Sequence, residues 1–401
     1  MEKKKYFNSV VHQVKDLEVL ADIQQELCFD LEKLKSMFPE KIAKKIKRII
    51  LTGCGDSFSA AGAMVPGVRK LSGVQKVNSP DIMDFCRYYD LSKITKGYAL
   101  DEVLVIAISF SGSADRVVEA LTKAKELGTQ ALLITRNPES KGAKVADMIF
   151  DVATPDGCNS PGLRSYYASM VGIVAVAAYI GLCRGIITKE RFLEVKHNIT
   201  SYTKTFMSEF DRIDDMMFAE AVRMKDLTKF EIIGDGNEGY SAQFIEEKFI
   251  ECGGVYCDHT NSEEFAHISF FFRGPGEFGT VILVNEADPS LGRMKDTIYG
   301  CLCQHRPTVV VTDLPKEAFL VVGGRVKDTP DMYNIPDAAT DSGLLAGEAT
   351  VCCIPKAPEQ WMSPLVDFIP GSLLAGYQAA VNERKYFAGQ YDFRTETWIT
   401  G

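Results

Sequence analysis

The sequence predicts an α/β chain that uses one doubly wound, parallel-sheet unit twice, behind a helical N-terminal extension. Three observations predict it. Short apolar runs such as Val103-Leu104-Val105-Ile106-Ala107-Ile108 recur along the chain, as buried parallel strands require. Segments with apolar residues at helical spacing lie between them. The whole alternation then starts afresh near Phe230. Strand–helix–strand alternation of this kind closes into right-handed βαβ units around a parallel sheet.

From Ser9 to Phe38, Val10, Val14, Leu17, Leu20, Leu27, Leu31 and Leu34 recur at helical spacing among Lys and Glu, which predicts one or two amphipathic helices. Arg48-Ile49-Ile50-Leu51 is the first strand. Ser57 to Leu71 reads as helix, kinked or ended by Pro66. Strands follow at 103–108, 131–134 and 148–151, with a helix from Asp115 to Leu127 between the first two. Long helical patterns run from Ser165 to Arg184 and from Lys189 to about Lys225. The second block has strands at 230–233, 255–257, 281–284, 308–311 and 350–354, and a helix from Tyr240 to Cys252. The stretch 315–345, rich in Asp, Gly and Pro, reads as a surface insertion. The expected division is 1–45 helical segment, 46–205 first domain, 206–385 second domain and 386–401 tail.

Composition narrows the function. The 401 residues are 46% hydrophobic and 25% charged, ordinary for a globular chain, and long enough for two cores. A net charge of −9 offers no basic excess for a nucleic-acid backbone. It leaves room for a small phosphorylated ligand, which needs only a local cradle of N–H groups. The basic Met1 to Lys5 is followed by no apolar segment of a signal peptide, and Met170 to Leu182 reads as a buried helix rather than a membrane span. Eleven cysteines without framework spacing predict reduced thiols, so a cytoplasmic chain is expected.

In open parallel sheets ligands bind past the carboxyl ends of strands. Three such positions carry chemistry. In Leu51-Thr52-Gly53-Cys54-Gly55-Asp56-Ser57, Gly53 and Gly55 permit a tight turn, and Ser57 stands where a helix begins. Helix N–H groups and a hydroxyl suit a phosphate, although a capping serine in a plain turn accounts for Ser57 as well. In Ile108-Ser109-Phe110-Ser111-Gly112-Ser113 three alternate hydroxyls can converge on one anion, where a cap needs only one. The stretch from Glu251 to His267 brings a carboxylate and an imidazole, the pair that moves protons at carbon and opens sugar rings, though each could equally be an ordinary surface group.

Together, Gly53-x-Gly55-x-Ser57 and Ser109-x-Ser111-Gly112 resemble the phosphosugar-binding signature of the SIS (sugar isomerase) domain family. Ile232-Ile233-Gly234-x-Gly236, Glu246 to Glu251 and Ser262-Glu263-Glu264-Phe265-x-His267 resemble the catalytic half of tandem SIS enzymes. Those include the isomerase part of glucosamine-6-phosphate synthase and fructosamine-6-phosphate deglycases. The likeness covers roughly residues 45–385. It implies two flavodoxin-like SIS domains packed face to face, with the active site in the cleft between them. Gly53, Gly55, Ser57, Ser109, Ser111, Gly112 and Ser113 would hold phosphate. Glu251 would be the base that moves a proton between the first two sugar carbons, tuned by burial. His267, which in the family can come from a neighbouring subunit, would assist ring opening, and Glu264 would shape the site. A homodimer or higher homo-oligomer is implied, with no cofactor, no metal, no nucleic acid and no membrane.

The chain also departs from the family pattern. Ala114 stands for a threonine, with Ser113 beside it, and Phe110 for a polar residue. Ile268-Ser269 replaces Gly-Pro, and the tail from Tyr391 to Gly401 lacks the lysine that the synthase places at the sugar. No glutaminase with a cysteine at position 2 precedes the first domain, so glutaminase activity is not expected.

Two other readings fit parts of the sequence. Gly234-Asp235-Gly236-Asn237-Glu238-Gly239, with Asp258 beyond the next strand, has the form of a dinucleotide fingerprint, but it leaves Glu251, Glu264 and His267 without a role. A non-catalytic sugar-phosphate sensor needs the phosphate loops alone. Cys301/Cys303 and Cys352/Cys353 lack zinc spacing, Cys257 with His259 lacks partners, and Cys54 is reactive only if a helix terminus activates it. Phe270-Phe271-Phe272 reads as core or subunit interface.

Overall fold

The computed structural model describes residues 1–158, 160–319 and 349–386, together with the backbone of 321–322 and 325–326. The tail and most of the expected insertion therefore lie outside the described residues. The described chain forms two compact units, one built from Gln13–Lys204 and the other from Met1–His12 with the chain from Thr205 onward. Each holds a five-stranded, wholly parallel sheet.

In the first unit the strands are β1 (Arg48–Gly53), β2 (Lys76–Asn78), β3 (Val103–Ile108), β4 (Gln130–Thr135) and β5 (Met148–Asp151), in the order β2-β1-β3-β4-β5. Every residue of β1 and β3 is buried, as a strand covered on both faces must be. In the second unit the strands are β6 (Lys229–Gly234), β7 (Tyr256–Thr260), β8 (Phe278–Leu283), β9 (Thr308–Thr312) and β10 (Ala349–Cys353), in the order β10-β9-β8-β6-β7. Both orders reverse direction at one point, between β1 and β3 in the first sheet and between β6 and β8 in the second. The sheet is doubly wound around that point.

The helices are α1 (Ser9–Lys15), α2 (Leu17–Cys28), α3 (Leu31–Met37), α4 (Glu40–Ala43), α5 (Asp56–Ala63), α6 (Val65–Ser72), α7 (Leu91–Thr95) and α8 (Asp115–Glu126), followed by α9 (Arg164–Cys183), α10 (Lys189–Ser208), α11 (Phe210–Arg223), α12 (Glu238–Gly253), α13 (Ser262–His267), α14 (Leu291–Cys303) and α15 (Phe368–Val381). The N-terminal pattern resolves into separate short helices, with Val10, Val14, Leu17, Leu20 and Leu34 fully or almost fully buried and Leu27 and Leu31 half-buried. The helix expected from Ser57 is interrupted beside Pro66: α5 ends at Ala63 and α6 begins at Val65, with Met64 between them, and Pro66 sits in the first turn of α6, where its missing N–H costs little. The pattern from Lys189 to Lys225 breaks at Glu209 into α10 and α11.

By length and composition α9 could cross a membrane, but 89% of its most apolar window is buried inside the structure. It is the central helix of the first core, contacting α2, α5 and α6. None of the eleven cysteines is in a disulfide. Cys301 and Cys352 are fully buried, and burial pushes both thiols up to about 12, so they pack as small apolar groups.

Candidate functional site

The strand reversal in the first sheet puts two loops side by side. β1 and β3 are neighbours in register, with Gly53 opposite Ile108, so the loops leaving them are one strand spacing apart, roughly 5 Å. In the first loop Gly53 is closed in: a Cβ there would lie 2.9 Å from Ser57 Cβ and 3.0 Å from the Ile108 carbonyl oxygen. Gly55 has φ +51°, which an L side chain rarely adopts, and α5 starts at the next residue. The amides of Ser57, Phe58 and Ser59 donate back to the Cys54 and Gly55 carbonyls, so the turn is tight, with Ser57 half-exposed at its mouth.

The second loop is fixed more firmly. The Ser109 amide donates to the Ile134 carbonyl at 3.0 Å, and Ser109 Oγ accepts from the Gly112 amide at 3.1 Å. The Arg136 amide and the Thr135 hydroxyl both donate to the Phe110 carbonyl, at 3.1 and 3.2 Å. Gly112, at φ +67°, fits against Ser140 and Thr135 with no room for a Cβ. Ser109 is buried as part of the scaffold, whereas Ser111 and Ser113 stand exposed ahead of α8. The Ala114 N-cap gives α8 no side-chain cap; the Val117 and Val118 amides donate to its carbonyl at 3.0 and 3.1 Å. Three accessible hydroxyls (Ser57, Ser111, Ser113) and the starts of α5 and α8 thus gather at the carboxyl ends of β1 and β3, a setting suited to an anion. Phe110 stacks under the Arg136 guanidinium, 5.2 Å from its centroid.

The corresponding loop of the second unit has the same backbone and opposite chemistry. Gly234 abuts Glu238, and Gly236 has φ +58°. Where Ser57 stands in the first unit, Glu238 stands in the second, 1% exposed, accepting from the Asn285 amide at 3.0 Å and the Ser363 hydroxyl at 2.7 Å. Asp235 accepts from both the amide and the hydroxyl of Ser262. Asp288 and Asp367 are buried nearby. Burial, then the Glu238 charge, holds the Asp367 carboxyl well above its ordinary range, and burial raises Glu238 as well. A dinucleotide diphosphate needs positive or neutral donors here, and this acidic mouth speaks against the fingerprint reading.

Glu251 and His267 belong to this second unit, on different helices. Glu251 lies near the C-terminal end of α12, its side chain 31% exposed, and its carboxylate is ion-paired with Lys248. Lys248 is wholly buried, with its ammonium 4.6 Å from the Phe244 ring centroid. Burial alone is therefore not what surrounds Glu251; a fixed cation meets it. The spacing of Lys248 and Glu251 within one helical run could have flagged this pair. His267 ends α13, exposed, with Nε2 2.8 Å from Glu263 Oε1; Glu263 in turn meets the Arg293 guanidinium at 2.9 Å. Glu264 is exposed in the first turn of α13, its amide donating to the Asn261 side chain at 2.8 Å. Ile268 is 62% exposed, and of the three phenylalanines Phe271 and Phe272, at 75% and 38%, are not core.

Two sequence expectations need correction. His259 does have partners: its Nδ1 meets Glu246, and Glu246, Asp258 and His259 bring their ligand atoms within 4.8 Å of one another. β7 and α12 create this cluster, which the spacing of residues in the chain hides. Cys54 is not activated by α5. Desolvation, then the Asp81 charge, raises its thiol, with Arg116 opposing.

Comparison with known proteins agrees with this architecture. Residues 42–179 match the SIS domain model. A stretch of 159 residues is 25% identical to glutamine–fructose-6-phosphate aminotransferase (isomerizing) of Clostridium tetani (strain Massachusetts / E88). That stretch covers 39% of this chain and about a quarter of the relative, 25% of its length. Among solved structures, the C-terminal domain of glucosamine-fructose-6-phosphate aminotransferase from Francisella tularensis superposes with TM-score 0.73 at 14% identity, covering 96% of this chain and 99% of that one. Tagatose-6-phosphate ketose/aldose isomerase from Escherichia coli gives 0.66 at 14% identity, covering 93% and 95%. Glucosamine-6-phosphate deaminase from Thermotoga maritima gives 0.60 at 14% identity, covering 94% and 96%. Residues 42–179 match a SIS domain, and the two parallel sheets of the chain have the fold of these solved structures.

Proposed function

We propose that the chain is a sugar-phosphate isomerase, or a deglycase of fructosamine 6-phosphates, that moves a proton between the first two carbons of a phosphorylated keto- or aminosugar. One observation carries the reading: the two glycine–serine loops at the strand reversal of the first sheet, with Ser57, Ser111 and Ser113 accessible and two helix N-termini beside them. Phosphate is held there by backbone N–H groups and hydroxyls, so the acidic net charge of the chain is no obstacle. Ser109 and Gly112 position the loop rather than touch the ligand.

Glu251 is assigned as base by its place in the family motif. Its carboxylate takes the proton from one sugar carbon, and the neighbouring carbonyl oxygen accepts the electron pair to give an enediolate. The carboxyl, whose proton can exchange with solvent, returns a proton to the neighbouring carbon, while the hydroxyl proton passes to the former carbonyl oxygen and leaves the new carbonyl. For the isomerase, atoms and charge balance within the sugar and one carboxylate, with no outside oxidant or reductant; the deglycase also consumes one water, which hydrolyses the imine and releases the amine. Lys248 is a positioning residue that holds the carboxylate in place. His267, backed by Glu263, is suited to proton transfer at a ring oxygen. The sensor reading needs the phosphate loops only, and the buried lysine behind Glu251 favours catalysis over it.

The test is a panel of 6-phosphorylated ketoses, aminosugars and fructosamines, followed by NMR for new sugar signals. Conversion of at least one member supports an enzyme, and its product separates isomerase from deglycase. Binding of members without conversion of any would move the reading to a sensor.

A further inference from the structure

A second ligand-sized hollow opens at the other end of the first sheet. Arg48 and Lys76 begin β1 and β2 and are paired in register, whereas the serine loops leave the far ends of β1 and β3. Five residue steps at about 3.3 Å put roughly 16 Å between the two ends of β1, so no single phosphate reaches both. The hollow measures about 590 Å³ and is lined by nine residues, among them Arg48, Arg69, Lys76, Lys93 and Lys96, with no acid. That volume lies in the range of small-molecule sites.

In a chain of net charge −9 this concentration of cations is local, not a general basicity. Among the described residues none of the five is ion-paired with a carboxylate. Arg69 donates to the Val77 carbonyl and Lys93 to the Tyr88 carbonyl. By contrast, Lys45 and Lys47, close by in sequence, are paired with Asp101 and Glu102 at 2.7 and 2.5 Å. Arg48 is a rigid floor, 4% exposed, its guanidinium held by the carbonyls of Ile94 and Lys93 and by Asn78 Oδ1, and Asn78 in turn donates to the Tyr89 hydroxyl at 3.0 Å. Burial works against the Arg48 charge, and five like charges around one cavity repel one another. An anion in the hollow relieves both.

We propose that this hollow binds a compact polyanion, a small molecule with two or more phosphate or carboxylate groups, independently of the sugar phosphate at the serine loops. Its place at the opposite end of the sheet makes it a regulatory rather than a reacting site.

Titration calorimetry with inorganic pyrophosphate, and inorganic phosphate for comparison, tests this on the full chain. Lys76 and Lys96 are exposed, and asparagine tolerates the φ of +50° at position 96, so Lys76→Ala/Lys96→Asn should fold; circular dichroism checks it. The expected result is saturable pyrophosphate binding, tighter than phosphate and weakened as salt rises from about 50 to about 300 mM. The Ser109→Ala/Ser111→Ala variant should bind it equally, and Lys76→Ala/Lys96→Asn at least about tenfold more weakly. Absence of saturable binding at millimolar pyrophosphate overturns the proposal. So does binding that survives the lysine changes, or binding lost on removing the serines.

Discussion

Replacing Gly112 by alanine should damage both the stability of the first unit and its hold on a phosphosugar. The residue sits at φ +67°, and a Cβ there would lie 2.6 Å from Ser140 Cβ and 2.9 Å from Thr135 Oγ1. The left-handed backbone costs an alanine about 1–2 kcal/mol. Overpacking against Ser140, which is buried, adds about 1–3 kcal/mol. A total of about 2–5 kcal/mol lowers the melting temperature by roughly 5–15 °C for a unit of this size. Because the Gly112 amide bonds Ser109 and its carbonyl accepts from the Gly142 amide at 2.9 Å, the strain falls on the serine loop itself. Removing the obstructing side chain in Gly112→Ala/Ser140→Gly should recover about half the loss, leaving the backbone share. Differential scanning calorimetry and phosphosugar titration of wild type, both variants and Ser140→Gly decide it. A Gly112→Ala protein with unchanged melting and affinity, or a double variant no better than the single, would refute the reasoning.

The buried pair Asp367–Glu238 predicts a pH dependence. Because the folded carboxyl of Asp367 is raised, its contribution is fully present below the ordinary carboxylate range near 4 and is lost as pH rises toward the folded value. Asp367→Asn removes that loss, so the variant should gain on wild type from about pH 4 upward, at up to about 1.4 kcal/mol per pH unit. Parallel melting-temperature curves from pH 4 to 8 would count against it. Separately, Ser111→Ala should weaken binding of a 6-phosphorylated sugar by about 1–3 kcal/mol in calorimetry, with the fold unaffected because Ser111 is exposed. Unchanged affinity would remove the serine from the site.

The fold was legible where a single physical signal dominated. Buried parallel strands announce themselves as apolar runs, and the strands expected from Val103 and from Met148 coincide with β3 and β5. β2 escaped because Lys-Val-Asn has one apolar residue, being an edge strand of three. α15 escaped because Pro370, Gly371 and Gly376 look like breakers. Pro370 lies in the first turn, and Gly371 exists for contact, since a Cβ there would meet Ile245 at 2.6 Å. The serine loops could be read because a strand, a glycine turn and a helix start are local. The pairing of Lys248 with Glu251 was within reach of helical spacing, but the carboxyl pair Glu238–Asp367 and the Arg48 hollow were not, since each depends on burial or on residues that only the fold brings together.

The central claim, proton transfer by Glu251 on a phosphosugar, is tested most directly by proton NMR in deuterated water with wild type and Glu251→Gln. The account predicts deuterium at the first or second carbon of at least one phosphosugar with wild type, and none with the variant, which still binds that sugar. Exchange of equal rate in both proteins would contradict Glu251 as base, and no exchange with any sugar that binds would contradict proton-transfer chemistry altogether.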